Sequence, residues 1–225
     1  EKLSKIKEIV THPGLGHADD FYAVAIVAYY YWLYTGIEPK ITRRVLENND
    51  PALSDSTICV IDVGQQYNEE LLNFDHHHFT KDSPPCCALT LILRWFKIED
   101  FIRKYCPWFE LIELSDSKGP QAVIEKIQIS TENLEALRNS PLSGFLLQLW
   151  SNGDTCQVIN FGEYLMNHIN KIIDNLKQLN ETVEIYECNN LKYVDITHMR
   201  KPSMVFFNNW LRDRQIDMFI SQSSY

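Results

Sequence analysis

Two clusters of histidine and aspartate contain the residues of this chain whose types and spacing could do chemistry. One is the run from Phe74 to His78, in which an aspartate precedes three consecutive histidines. The other is the stretch THPGLGHADD, from Thr11 to Asp20, with two histidines and two aspartates. Imidazole nitrogen and carboxylate oxygen are the mixed ligand set of divalent cations such as Mn, Fe, Co and Zn. The two clusters therefore predict a metal site.

Each cluster follows a segment with the character of a buried β-strand, and a third such segment ends in an aspartate. These segments are residues 7–11, 56–63 and 71–74. Strand patterns that alternate with helical patterns predict an α/β fold, here a Rossmann-like parallel sheet with flanking helices. Ligands of such sheets bind outside the carboxyl ends of the strands. His12, Asp62 and His76 are therefore expected to meet at one edge of the sheet.

The remaining periodicity predicts the elements that would position this edge. Helices are expected over residues 18–34, 86–96, 99–116, 130–151 and 160–179, and further strands over 37–46, 183–188, 191–196, 204–208 and 218–220. Gly36 is expected to end the first helix. Residues 1–125 are predicted to form the metal-binding catalytic domain. Residues 126–225 are predicted to form a helical linker and a small C-terminal α+β region that acts on substrate or as a lid.

Composition limits the classes of partner. The net charge of −9 gives no general attraction to nucleic acid or to anionic membranes, so a polyanionic substrate would need metal ions or a local basic patch. The clustered positive charges of the last third are predicted to contact a substrate backbone; they are Arg200, Lys201, Arg212 and Arg214. Residues 18–36 are largely apolar but contain two acids and five tyrosines, which favours a buried helix over a membrane span.

The six cysteines show no CxxC spacing, which indicates reduced, mostly buried thiols in a cytoplasmic protein. Whether the chain forms a homodimer is left open by the sequence.

Four motifs, taken in order, resemble a known superfamily. They are THPGLGHADD, IDVGQQY, FDHHHF and SDSKG, within residues 9–120. In this order and spacing they resemble the DHH phosphoesterase superfamily, and most closely its Myg-type (melanocyte-proliferating-gene) exonuclease family. The chain departs from the family pattern in three places. Asp20 stands where the family has glutamate, His78 stands where it has glutamine, and Ser117-Lys118-Gly119 replaces an Asn-Gly pair.

The resemblance implies two divalent metal ions, Mn first, with Mg or Co as alternatives. The residues at the matching ligand positions are His12, His17, Asp19, Asp62, His76 and Asp116. Among them Asp62 would bridge both ions. His77 would contact the scissile phosphate, and Asp75 would orient a histidine by a hydrogen bond from outside the ligand set. The catalytic residues implied in this way are Asp62, Asp75 and His77.

The activity that the resemblance implies is hydrolysis of nucleic-acid phosphodiesters by a water activated between two metal ions. The expected enzyme is a 3′–5′ exonuclease on RNA or short oligonucleotides. Two alternatives stay open. One is a small-substrate enzyme, either a phosphatase or a cyclic-nucleotide or dinucleotide phosphodiesterase. The other is a catalytically idle relative that binds nucleotides or a partner. Metal content would separate enzyme from idle binder, and preference for substrate length would separate the two kinds of enzyme.

Overall fold

The structure is a computed structural model that describes residues 2–14, 16–80, 82–199 and 204–222. The strands are β1 Glu8–Thr11, β2 Lys40–Arg43, β3 Ile58–Ile61, β4 Tyr67–Asn68, β5 Asn73–Phe74, β6 Ile185–Cys188, β7 Leu191–Asp195 and β8 Met218–Ile220. The α-helices are α1 Ala18–Thr35, α2 Ala88–Trp95, α3 Glu99–Tyr105, α4 Pro107–Ser117, α5 Pro120–Ile127, α6 Thr131–Arg138, α7 Pro141–Ser151, α8 Thr155–Thr182 and α9 Met204–Asp213.

The first five strands form one sheet in the order β2-β1-β3-β5-β4. The first four strands in this order are parallel, and β4 pairs antiparallel with β5. Ile9, Val10 and Val60, on the two central strands, are completely buried, so the sheet is covered on both faces. The predicted α/β class with a mostly parallel sheet is confirmed, and so is a separate C-terminal sheet, in the order β6-β7-β8.

Helix α1 is the element that carries one histidine–aspartate cluster into the core. Asp19 and Asp20 lie in its first turn, where carboxylates suit the positive end of the helix dipole. Gly36 ends it in the left-handed conformation with φ of 70°, and its N–H donates to the Trp32 carbonyl oxygen. Gly162 on α8 faces α1 so closely that a β-carbon there would collide with the Ala25 carbonyl. No helix in the described ranges is both long enough and apolar enough to cross a membrane.

Several helix boundaries differ from the predicted ones because a proline begins a new helix. The single helix expected over 99–116 is two helices, α3 and α4, and that expected over 130–151 is also two, α6 and α7. In each case the second helix begins with a proline, Pro107 or Pro141, because proline lacks the N–H that an interior position donates. Pro120 likewise opens helix α5, which the sequence reading missed, as it missed the two-residue strand β4.

The strand predicted over 204–208 is wrong, because these residues open helix α9. The buried side chains Phe206, Phe207, Trp210 and Leu211 recur at intervals of three and four residues, which is the helical period. The short apolar run at the start of α9 has the length and composition of a strand, which explains the wrong prediction.

The chain forms two compact units. The first comprises Glu1–Asp100 and Trp108–Met166, and the second comprises Phe101–Pro107 and Asn167–Tyr225. The six cysteines all lie among the described residues and form no disulfide there. Four of them, Cys59, Cys86, Cys87 and Cys106, are buried, so the prediction that most of the thiols are buried is confirmed.

Candidate metal centre

Asp62 lies immediately beyond β3 in a conformation that few residues adopt. Its φ is 60°, in the left-handed region, and its N–H donates to the Phe74 carbonyl oxygen on β5 (3.1 Å). The residue is 1% exposed, and neither carboxylate oxygen has a hydrogen-bond partner among the described residues. Strained backbone and an unsatisfied buried carboxylate are both costly, and they concentrate at functional sites.

Two histidines and a second aspartate lie close to Asp62. His76 Nε2 is 3.3 Å from Asp62 Oδ1 and 2.9 Å from Asp116 Oδ2. His17 Nδ1 is 3.3 Å from Asp116 Oδ1. His76 Nε2 and Asp116 Oδ2 approach each other without the geometry of a hydrogen bond, and each is buried without a partner in the described structure. Close approach without bonding is what converging lone pairs produce when they point at a common ligand.

Asp19 completes the set from the first turn of α1. It is completely buried, and its Oδ2 accepts a hydrogen bond from the backbone N–H of Ala88, the first residue of α2 (3.1 Å). Its Oδ1 has no partner among the described residues. One carboxylate oxygen is thus fixed by a helix N-terminus and the other is left available.

Three sets of side chains offer ligand atoms that lie within 4.8 Å of one another and could hold a metal ion. The sets are Asp62, Asp75, His76 and His77; His17, Asp19 and Asp62; and Asp19, His76 and Asp116. Asp62 and Asp19 each occur in two sets, and so does His76. The structure therefore brings together five of the six residues predicted as ligands.

The buried carboxylates of the cluster carry charge that a bound cation would compensate. Burial and the neighbouring Asp62 carboxylate raise the pKa of Asp19 well above its usual value. Burial, again with Asp62, raises the pKa of Asp20 to about 7. Burial would raise the pKa of Asp116 as well, but its contacts with His17 and His76 hold that pKa well below the usual value. Buried carboxylates this close repel one another unless protons or a cation compensate them.

The unpaired atoms provide a test of whether the site fits a metal. Ten buried side-chain nitrogen and oxygen atoms in the described part of the chain have no hydrogen-bond partner, and seven of them belong to the histidines and aspartates of this cluster. These seven atoms lie on His12, Asp19, Asp20, Asp62, His76 and Asp116. Buried polar groups are normally paired, so unpaired ones gathered in one place fit a bound cation with nitrogen and oxygen ligands.

His77 is held differently from its neighbour His76. Asp75 Oδ2 accepts from the backbone N–H of Gln65 (2.6 Å), and Asp75 Oδ1 accepts from the backbone N–H of His77 (2.9 Å). The same oxygen lies 2.6 Å from His77 Nδ1. This bond raises the pKa of His77. The His77 side chain is 46% exposed, against 10% for His76. Asp75 thus fixes the ring through Nδ1 and leaves Nε2 for another partner.

His12 lies at the end of β1 but belongs to none of the three sets found among the described residues. Its Nδ1 is buried without a partner there, and its ring stacks on His17 with centroids 5.7 Å apart. Its role as a ligand stays a prediction. His78 is exposed, and its ring packs against the edge of Phe79.

Arg43 supports the loop that carries His12. Its Nε donates to the His12 carbonyl oxygen (3.2 Å) and its Nη1 to the Trp150 carbonyl oxygen (3.1 Å). The guanidinium also lies over the Trp150 ring, 4.5 Å from its centroid. Arg43 therefore links the β1 loop to helix α7.

Trp150 is a residue that sequence reasoning missed. Its Nε1 donates to Asp20 Oδ2 (3.2 Å), across 130 positions of sequence. Gly16 lies against this bond, since a β-carbon at Gly16 would collide with Trp150 Nε1 and with the Asp20 carboxylate. Asp20 is thus held at the start of α1 by a bond from outside the predicted ligand set.

The basic residues predicted to contact substrate fall outside this cluster or outside the described residues. Arg212 and Arg214 belong to the second unit, where Arg212 is exposed. Arg214 donates to Asn180 Oδ1 (2.5 Å) and lies over the Trp210 ring. The other two, Arg200 and Lys201, lie outside the described residues. Their substrate role stays a prediction.

Comparison with known families gives one match. Residues 8–87, about a third of the chain, match the MYG1_exonuc family, whose description is "Uncharacterised protein family (UPF0160)". This segment includes β1 to β5 and both histidine–aspartate clusters, but not Asp116. Comparisons with curated proteins and with solved structures gave no match. The match supports the resemblance to the Myg-type exonuclease family over residues 8–87.

Proposed function

We propose that this protein is a metal-dependent phosphoesterase of the DHH type, and that it hydrolyses nucleic-acid phosphodiesters. One observation carries the proposal: unpaired, buried ligand atoms of Asp19, Asp62, His76 and Asp116 converge beyond the ends of parallel strands. The match of residues 8–87 to a family whose name refers to an exonuclease supports the same chemistry.

The ligands would be His12, His17, Asp19, Asp62, His76 and Asp116, with Asp62 shared between two ions, Mn or alternatively Mg or Co. When bound, divalent ions neutralise phosphate charge and activate water for attack on phosphorus. Asp62 suits the shared position because both its oxygens are free and its backbone is fixed by the bond to Phe74.

His77 would act on the substrate rather than on the metal. Asp75 holds the His77 ring by Nδ1 and raises its pKa, which favours a protonated ring whose Nε2 can donate to a phosphate oxygen. A donor aimed at the charge that develops on phosphate stabilises the transition state. Asp75 then has a positioning role through His77.

The proposed substrate is RNA or a short oligonucleotide, degraded from its 3′ end. We place the chemistry in residues 1–125, which contain every residue proposed to act at the metal centre. Residues 126–225 would select the substrate, with Arg200, Lys201, Arg212 and Arg214 as contacts to its backbone.

A second candidate is hydrolysis of a small phosphoester. It is favoured by a cavity of about 740 Å³ that is lined by His17, Asp19 and Asp116 together with many apolar side chains of α1 and α4 to α7. A cavity of this size is typical of sites for small molecules.

The test is a substrate panel with purified protein and Mn²⁺. Single-stranded RNA, single-stranded DNA, dinucleotides and bis(p-nitrophenyl) phosphate would be compared, with EDTA-treated protein as the control. Release of mononucleotides from RNA supports the first candidate, and hydrolysis of only the small diester supports the second. Absence of hydrolysis on every substrate, with metal bound, would refute both.

A further inference from the structure

The cavity beside the candidate metal centre has two kinds of wall. His17, Asp19 and Asp116 line part of it, and these are residues of the candidate metal centre. Much of the rest is aliphatic and comes from α4 to α7, for example Val123 and Leu134. A ligand in this cavity would therefore contact the cluster of acids and histidines with one part and an apolar wall with the other.

The described lining offers few groups that could hydrogen-bond to a nucleobase. Three side-chain hydroxyls line it, those of Tyr22, Ser115 and Ser143, and that of Ser143 already donates to the Leu137 carbonyl oxygen (2.9 Å). The Tyr22 ring packs against Trp108 and Phe161. Phe21 and Trp150 also line the cavity, yet they are 4% and 1% exposed, and their ring centroids are 5.3 Å apart. Their faces are thus used in core packing. A base buried here would lose more hydrogen bonds to water than these few groups can replace, which is costly.

The lining is also poor in positive charge. Arg138 is the one lysine or arginine among the described residues that line the cavity. A groove that follows a polynucleotide backbone needs several such contacts. The cavity therefore suits a ligand with a single phosphate group.

Two large apolar side chains of the lining are open to water. Ile127 at the end of α5 is 37% exposed, and Leu137 near the end of α6 is 61% exposed. An apolar ligand that covers them gains the free energy of removing that surface from water.

We propose that this cavity binds the aliphatic chain of a phosphate ester, with the phosphate of the ester at the candidate metal centre. The ligand class is a single-phosphate ester of a long, unbranched or isoprenoid-like alcohol. This proposal rests on the proposed function, because metal ions would hold the phosphate.

The experiment is calorimetric titration of the full chain, in Mn²⁺, with butyl, octyl and dodecyl phosphate below their micelle concentrations. Burial of one methylene strengthens binding by about fourfold, so octyl phosphate should bind tighter than butyl phosphate by a factor on the order of 100. Adenosine monophosphate is the comparison ligand, and it should bind no better than butyl phosphate. Affinity that does not depend on chain length, or tighter binding of the nucleotide than of octyl phosphate, would overturn the proposal.

A pair of double variants locates the site. Ile127→Gln with Leu137→Gln should weaken octyl phosphate binding by at least about tenfold, since methylene contacts are lost. The matched control is Leu33→Gln with Ile37→Gln, whose residues are 52% and 61% exposed and lie outside the cavity lining. The control should bind as the unchanged protein does. Because all four positions are exposed, folding should survive, and circular dichroism checks this. Equal affinities of the two double variants would contradict the assignment.

Binding and hydrolysis are measured separately, so failures can be told apart. If single-stranded RNA and bis(p-nitrophenyl) phosphate are hydrolysed while alkyl phosphates show no dependence on chain length, the cavity proposal is wrong and the proposed function stands. If chain length controls binding but no phosphoester is hydrolysed, the cavity proposal stands and the proposed function is wrong.

Discussion

Replacing Asp62 by asparagine should change stability in opposite directions with and without metal. Asparagine is close in size and tolerates a φ of 60°, so the backbone beyond β3 should keep its conformation. What changes is the charge. Asp62 has ligand oxygens within 4.8 Å of those of Asp19, in a buried space. The variant removes this repulsion, and it also removes the ligand shared by two of the three sets.

The size of the effect follows from that distance. Two full charges no more than 4.8 Å apart at an effective dielectric constant of 20 repel by at least about 3.5 kcal/mol. Two effects reduce this: the raised pKa of Asp19 favours its protonated form, and Asp62 also attracts the His76 ring, whose Nε2 lies 3.3 Å from Asp62 Oδ1. Metal-free Asp62→Asn should therefore be more stable than the unchanged protein by about 1–3 kcal/mol. This corresponds to a rise in Tm of about 2–10 °C for a chain of this length.

Bound metal should reverse the order of the two Tm values, so that the unchanged protein becomes the more stable one. A ligand at 100 times its Kd stabilises a protein by about 2.7 kcal/mol, so saturating Mn²⁺ should raise the Tm of the unchanged protein by about 5–10 °C. Asp62→Asn should lose most of this rise and all but a trace of phosphodiester hydrolysis. Differential scanning calorimetry with EDTA and with Mn²⁺ measures both Tm values. The control is Asp174→Asn, at an exposed aspartate on α8, which should behave as the unchanged protein. A full Mn²⁺-induced rise in Asp62→Asn, or a lower metal-free Tm, would refute the reasoning.

Three further predictions concern other residues of the chain. His76→Ala should reduce the bound metal measured by elemental analysis. His77→Ala should keep the metal and lose turnover, because His77 is hydrogen-bonded to Asp75 and its side chain is half exposed. Equal loss of metal in both variants would contradict these separate roles. Gly16→Ala should lower the free energy of unfolding by about 1–3 kcal/mol in denaturant melts, because the new β-carbon would collide with Trp150. Gly144→Ala, where the β-carbon meets open space, should raise the free energy of unfolding by about 0.5–1 kcal/mol. A fourfold alanine variant of the basic residues Arg200, Lys201, Arg212 and Arg214 should bind oligonucleotides with a weaker dependence on salt concentration. Its hydrolysis of bis(p-nitrophenyl) phosphate should stay constant. An unchanged salt dependence would mean that the four residues are ordinary surface charges.

The positions of the strand ends could be predicted from sequence because their cause is local. A short apolar run followed by a polar ligand residue places that residue at the carboxyl end of a parallel strand. This reasoning placed Asp62 and His76 together, and the structure has them 3.3 Å apart. It also placed Asp19 at the start of a buried helix, where it is found.

Contacts between distant segments could not be predicted in this way. Trp150 reaches Asp20 over 130 residues, and nothing in the sequence around Trp150 differs from an ordinary core tryptophan. The cavity wall is equally non-local, because it is assembled from four short helices whose breaks were placed wrongly or missed. Arg43 could be placed at the end of β2, but its bonds to the His12 and Trp150 carbonyls depend on how α7 packs.

The physical cost of the cluster is evidence for function that does not depend on the motifs. Asp62 combines a positive φ with two unpaired buried oxygens, and Asp19, Asp20 and Asp116 add further buried carboxylates. Sequences generally specify folds in which local preference and polar pairing agree, and they depart from this at functional sites. A fold selected for stability alone would replace such acids by apolar or paired side chains. A bound cation would compensate the charge of these acids, so metal removal should cost this chain stability as well as activity.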